Sequence, residues 1–232
     1  TSKDAMKASS HSSKAVHFLR ASIVLAILGS ALTVTPARAA GPTVIWDESR
    51  FVTLTSNNIT STVIANDFLL RGARSLSGFT AWLSDNVADD DGVLDSFSGT
   101  LGWAIYSNNA GQPGTLLASG QDTAPTLTDT GVQDASACDI VRVDAAFSSA
   151  VSLPAGRYWL ALHEGNWGSP SDGSAVWWQY ANLVDFNQMY FAGSWNLGDP
   201  TDNSFVVWED FSNRSITKSD GAAAATPGST VT

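Results

Sequence analysis

The chain of 232 residues carries a single cysteine, Cys138, so no disulfide can form within it. Histidine is almost as scarce. Of His11, His17 and His163, only the last lies outside the N-terminal segment. A histidine-type zinc site needs several such ligands, so the count excludes it. A Ser-His-Asp triad would rest on His163 alone, and no Gly-x-Ser-x-Gly elbow accompanies it. The pair His163-Glu164 is not a zinc-protease helix either, because Trp167 stands where the second histidine belongs. Cations are few as well: 12 Lys and Arg face 22 Asp and Glu, a net charge of −10. Nucleic acid and anionic lipid are bound through Lys and Arg meeting phosphates, so neither is an expected partner. No apolar run approaches the ~20 residues that a membrane-spanning helix requires.

The N-terminal segment reads as an export signal. After Met6, a natural start point, Lys7, Lys14 and Arg20 form a basic flank. The apolar stretch Ala21–Gly29 follows, and then Ala37-Arg38-Ala39 presents small residues at the positions a signal peptidase reads. Residues 1–39 are therefore expected to be removed, with Ala40 the next cut position. Secreted material should begin at Ala40 or Gly41, which N-terminal sequencing reads directly. The excised part holds five of the cations and one acid. That leaves seven basic and twenty-one acidic residues, a net of −14.

The remaining 193 residues fit one domain, large enough to bury a core without covalent staples. Residues 40–210 show short alternating or apolar runs broken by Gly, Asn, Asp, Ser and Pro, with little helical periodicity. This pattern predicts an all-β fold, a two-sheet antiparallel β-sandwich of jelly-roll type. Eleven strands are expected, among them 62–70, 76–84, 100–107, 140–147, 156–163, 175–180 and 204–208. Side chains alternate across a strand. Leu101, Trp103 and Ile105 should therefore share the core face, opposite Gly102, Ala104 and Tyr106. Residues 122–139 read as a long polar loop with one weak edge strand. Residues 211–232 read as a small-residue tail or linker. Cys138 is expected to be buried as a small apolar residue.

Several phrases carry a resemblance. They are Leu76-Ser77-Gly78-Phe79-Thr80-Ala81-Trp82-Leu83, the stretch Gly102-Trp103-Ala104-Ile105-Tyr106 running on through Asn108-Asn109-Ala110-Gly111-Gln112-Pro113-Gly114, Leu153-Pro154-Ala155-Gly156-Arg157-Tyr158-Trp159, and Trp177-Trp178. Over residues 44–210 the chain resembles bacterial exported β-sandwich domains found in proteins with a C-terminal PEP-CTERM sorting signal. The resemblance implies a fold and an exported setting, and it supplies no catalytic residue. No Pro-Glu-Pro, membrane helix or basic cluster follows the domain within this sequence.

Two features suggest chemistry. Asp89, Asp91 and Asp95, with Asp90, crowd around Gly92 in the loop 85–95. Calcium takes six to eight oxygens, and such a loop can supply several, although the spacing is not that of an EF-hand. A solvated turn is the other reading, since Asp and Asn favour turns by themselves. The second feature is the nine tryptophans. Adjacent Trp177 and Trp178 must point to opposite faces of a strand. Trp82, Tyr106 and Trp159 can join one of them on an outer surface that stacks on sugar rings. The alternative is that these rings fill the core. Two functions fit. One is an exported non-enzymatic sandwich with a matrix, envelope or adhesion role. The other is a carbohydrate-binding module for extracellular polysaccharide, with or without calcium. A hydrolase would need a cleft with two close carboxylates, which the sequence cannot single out among so many acids.

Overall fold

Runs of β-branched and aromatic residues, each stopped by turn-forming residues, build thirteen antiparallel strands and two sheets among the described residues. The computed structural model describes residues 41–168, 176–182, 188–198 and 201–210. The leader expected over 1–39 and the tail expected over 211–232 lie outside the described residues. The first sheet holds β1 (Thr43–Asp47), β2 (Phe51–Asn58), β4 (Arg74–Asp85), β7 (Thr126–Gln133), β8 (Asp139–Leu153), β10 (Val176–Ala181) and β13 (Phe205–Glu209). The second holds β3 (Val63–Leu70), β5 (Leu101–Asn109), β6 (Gln112–Asp122), β9 (Gly156–Glu164), β11 (Gln188–Phe191) and β12 (Trp195–Leu197), in the order β12-β11-β3-β9-β5-β6. The all-β, jelly-roll-like sandwich expected from the sequence is the fold observed.

The core lies between the sheets, and strand alternation decides who enters it. Leu101, Trp103 and Ile105 of β5 face inward and are at most 2% exposed. They meet Tyr158, Leu160 and Leu162 of β9, and Val141, Val143, Ala145 and Phe147 of β8. The Trp103 and Phe147 rings stand 4.3 Å apart, centre to centre. Outward-facing residues build two further clusters. Trp82, Ile140 and Val206, with Phe51 and Trp208, cover the first sheet. Ala65, Ala104, Trp159, Ala161 and Met189, with Tyr106, Trp167 and Trp195, cover the second.

The region 122–139 is more regular than its sequence suggests. β6 extends to Asp122, β7 pairs with β8, and only a short turn around Asp134 separates β7 from β8. β7 is exposed along most of its length, Leu127 and Val132 included. An edge strand without a buried face carries no hydrophobic alternation to read. Cys138 is buried and unpaired, as expected. Its surroundings exclude water and crowd it with Asp134, Asp85, Asp139 and Asp89, which together push its thiol pKa up and keep it protonated.

On one side of β4 the first sheet is split. β13 pairs with residues 78–81, and β10 pairs with residues 83–85. Between them the chain departs to make β11 and β12 in the other sheet. The backbone groups freed at the split are met by polar side chains. The Asn203 amide donates to the Trp178 carbonyl at 3.0 Å, and Ser204 donates to the Glu48 carbonyl at 2.9 Å. Asn66 accepts from the Asn203 N–H at 3.1 Å and donates to Asp202 at 3.2 Å. Buried polar groups must be paired in this way, because a lost partner costs ~1–3 kcal/mol.

Candidate functional site

The second sheet curls toward its outer face. Trp195 of β12 and Tyr106 of β5 are four strand spacings apart in the pairing order. That is ~19 Å on a flat sheet with ~4.8 Å between strands. Their rings nevertheless meet edge to face with centroids 5.3 Å apart. Trp195 also meets Phe191, its cross-strand partner on β11, at 5.3 Å. Phe191 is 43% exposed, and Tyr106 and Trp195 are half-buried. The result is a surface aromatic cluster floored by Ala65, Ala104 and Ala161, whose small side chains let the rings approach the sheet. Beside it, the exposed Asn108 accepts from the Trp159 indole N–H at 3.0 Å and from the Gly111 N–H at 3.2 Å. Both bonds use its carbonyl oxygen, which leaves the amide N–H groups for a ligand.

The five aromatic residues singled out from sequence do not form one surface. Tyr106 and Trp159 lie on the outer face of the second sheet, but Trp159 is fully buried beneath its neighbours. Trp82 is on the outer face of the first sheet, 8% exposed and stacked on Phe51. Trp177 shares that side, half-buried and in register with Ser84. Trp178 points into the core, where it meets Phe205 edge to face and donates to the Ser204 carbonyl at 2.8 Å. As sugar contacts, Trp159 and Trp178 are therefore corrected: neither has exposed surface to offer. The sequence reading did not include Phe191 or Trp195. They come from strands of four and three residues, too short for a pattern, and only the curl brings them to Tyr106.

A groove of about 480 Å³ also runs over the first sheet, walled by Val44, Trp82 and Trp208. Its polar groups bind one another. Arg142 donates to Asp144 at 2.9 and 3.1 Å, and Thr80 donates to the same oxygen at 2.5 Å.

The acidic loop converges. One oxygen each from Asp89, Asp91 and Asp95 lies within 4.8 Å of the others, with Asp89 half-buried and the other two exposed. Two buried carboxylates shape the loop from below. Asp139 accepts from the N–H groups of Asp91 and Gly92 at 3.1 and 2.7 Å, and Asp85 accepts from those of Val87 and Ser96 at 3.1 and 2.9 Å. Gly92 adopts φ 75°, and a Cβ there would sit 2.7 Å from the Asp129 carboxyl carbon. Glycine meets both demands without strain. Desolvation, followed by the charges of Asp91, Asp95, Asp139 and Asp85, raises the pKa of Asp89. A cation held beside Asp89 would offset those charges.

His163 is nearly enclosed, and its Nδ1 has no partner. Desolvation lowers its pKa, outweighing Glu164 and the Thr60 backbone, so the ring is neutral. No helix among the described residues is long and apolar enough to cross a membrane. No protein-family model matches the sequence, nor does any curated protein. The fold and its surface therefore define the class, an all-β sandwich carrying an exposed aromatic cluster.

Proposed function

We propose that this is an exported carbohydrate-binding domain whose contact surface is the Tyr106–Trp195–Phe191 cluster. The observation that carries this is the chain of ring contacts on a curled outer face, with one exposed ring and an available amide at Asn108. Aromatic faces stack on the C–H faces of sugars, and flanking amides hold the hydroxyl groups. A matrix or envelope role, in the setting of the sorting-signal proteins the sequence resembles, is the wider context. A glycan array probed with the secreted protein, with and without calcium, tests the reading. Trp195→Ala and Tyr106→Ala should each weaken binding at least tenfold, because stacked rings concentrate binding energy. Failure to bind any glycan would leave the adhesion role through protein contacts instead.

We infer further that the acidic loop takes calcium through Asp89, Asp91 and Asp95. Calcium–oxygen bonds run about 2.3–2.6 Å, so two oxygens on one ion are at most ~5 Å apart. One oxygen from each of the three carboxylates lies within 4.8 Å of the others, inside that limit. Calcium at 100 times its dissociation constant should stabilise the domain by ~2.7 kcal/mol. A thermal melt in millimolar calcium against a chelator reads this shift. The double variant Asp89→Asn/Asp91→Asn should abolish it. An equal shift in the variant would place the ion elsewhere, and no shift in the wild type would make the loop a solvated turn.

A further inference from the structure

The open seam of the sandwich, where β2 of one sheet faces β3 and β11 of the other, holds a cavity of about 350 Å³. Small-molecule sites begin at about this size, ~300 Å³. Asn57, Asn58, Thr62, Gln188, Tyr190 and Leu197 line it, and no charged residue does among the described residues. Gln188 is the unusual member. It is fully buried, and both its Oε1 and its Nε2 lack a hydrogen-bond partner.

The neighbours do not rescue it. Asn57 accepts from the Tyr180 hydroxyl and donates to Asn203, and the Asn58 oxygen accepts from the N–H groups of Thr60 and Ser61. Asn66, directly across from Gln188 on β3, is committed to Asp202 and Asn203. A Cβ on Gly198 would lie 2.8 Å from the Gln188 Oε1, so Gly198 packs closely on the amide and leaves no room there for a side chain. Gly198 follows the three-residue edge strand β12, the last in its sheet. An orphaned donor and acceptor in a buried site are costly, and a cavity that keeps them has a use for both.

The geometry points to a sugar-binding subsite in this seam, specific for a neutral pyranose. Both atoms are covered by the Gly198 edge, which has to swing aside; a vicinal diol can then donate one hydroxyl to Oε1 and accept from Nε2, the pairing that Gln188 lacks. Tyr190, 37% exposed, and Leu197, 69% exposed, offer an apolar rim for the ring. The uncharged lining gives a uronate or sulfate group no cation to meet, which selects against polyanionic glycans. The subsite rests on the carbohydrate reading above. It adds that the β11–β12 hairpin contacts glycan on both sides, with Phe191 on one face and Tyr190 on the other.

Titration calorimetry on the secreted protein tests it, with cello-, xylo-, manno- and N-acetylchito-hexaose as neutral probes and oligogalacturonate as the anionic one. Gln188→Leu should reduce affinity for the best neutral probe at least tenfold. Its melting midpoint should stay at or above the wild-type value, because two orphaned polar atoms are gone. Tyr190→Ala, at the exposed rim, should also weaken binding, and it decides the matter alone if Gln188→Leu does not fold. Wild-type affinity in both variants, with binding lost in Trp195→Ala, overturns the subsite and leaves the aromatic face standing. Preference for oligogalacturonate overturns the neutral specificity. No binding to any probe overturns the subsite together with the reading beneath it.

Discussion

Trp103→Ala is expected to destabilise the domain by ~3–5 kcal/mol, the range for removing a large buried aromatic side chain. The indole is 2% exposed and packs on Phe147, which in turn meets Phe79 of β4. One ring therefore links β5 of the second sheet to β8 and β4 of the first. The void would open midway between the layers, where neither sheet can close in without breaking strand pairing. One saving moderates the loss. The Trp103 Nε1 is buried without a partner, so the substitution also removes an unsatisfied donor. Trp103→Phe keeps most of the ring and removes that donor, so it should cost much less. Urea melts of the three proteins check the order. A loss below ~1 kcal/mol in Trp103→Ala would mean that the ring is not a core element.

Gly78→Ala is the second large effect, and it acts by excess rather than by loss. The added methyl carbon would stand 2.4 Å from the Ala145 carbonyl oxygen and 2.3 Å from Cη2 of Trp208. Trp208 can rotate away. The Ala145 oxygen cannot, because it belongs to β8, paired with β4 on both sides of an irregularity between Leu76 and Gly78. Overpacking costs ~1–3 kcal/mol where side chains can adjust. With backbone on one side, the expected loss is at the top of that range. A midpoint within about 1 °C of the wild type would refute the close approach. Trp208→Ala is the matched control: by itself mild, it should recover part of the loss in the double variant, and only the part due to the ring.

The sequence made the sandwich legible because strands such as β5 and β8 alternate large core-facing side chains with small or polar ones. Leu101, Trp103 and Ile105 are the clearest case, and their phase follows from period-two alternation alone. The acidic loop was legible for a different reason, because its three carboxylates are close along the chain and a turn cannot separate them far. The aromatic surface was not. Trp159 and Trp178 read like any strand aromatic, yet one lies beneath a second cluster and the other in the core. The reason is that both faces of the second sheet carry packed rings, so outward phase does not imply exposure. Phe191, Trp195 and Gln188 were out of reach, since their roles depend on the curl and on the chain crossing from one sheet to the other and back.

Thr43 pairs with Glu209, and Val44 with Trp208, so the first and last strands among the described residues lie side by side and antiparallel. The two points where chain enters and leaves the sandwich are therefore neighbours. A domain with such ends can hang from a surface or interrupt a longer protein without lengthening it. It also responds to tension in a particular way. A pull between Thr43 and Glu209 meets the β1–β13 hydrogen bonds one after another, as a zipper opens, rather than loading them together in shear. A body tethered through both ends would yield at that seam first, while the curled sheet and its rings stayed intact.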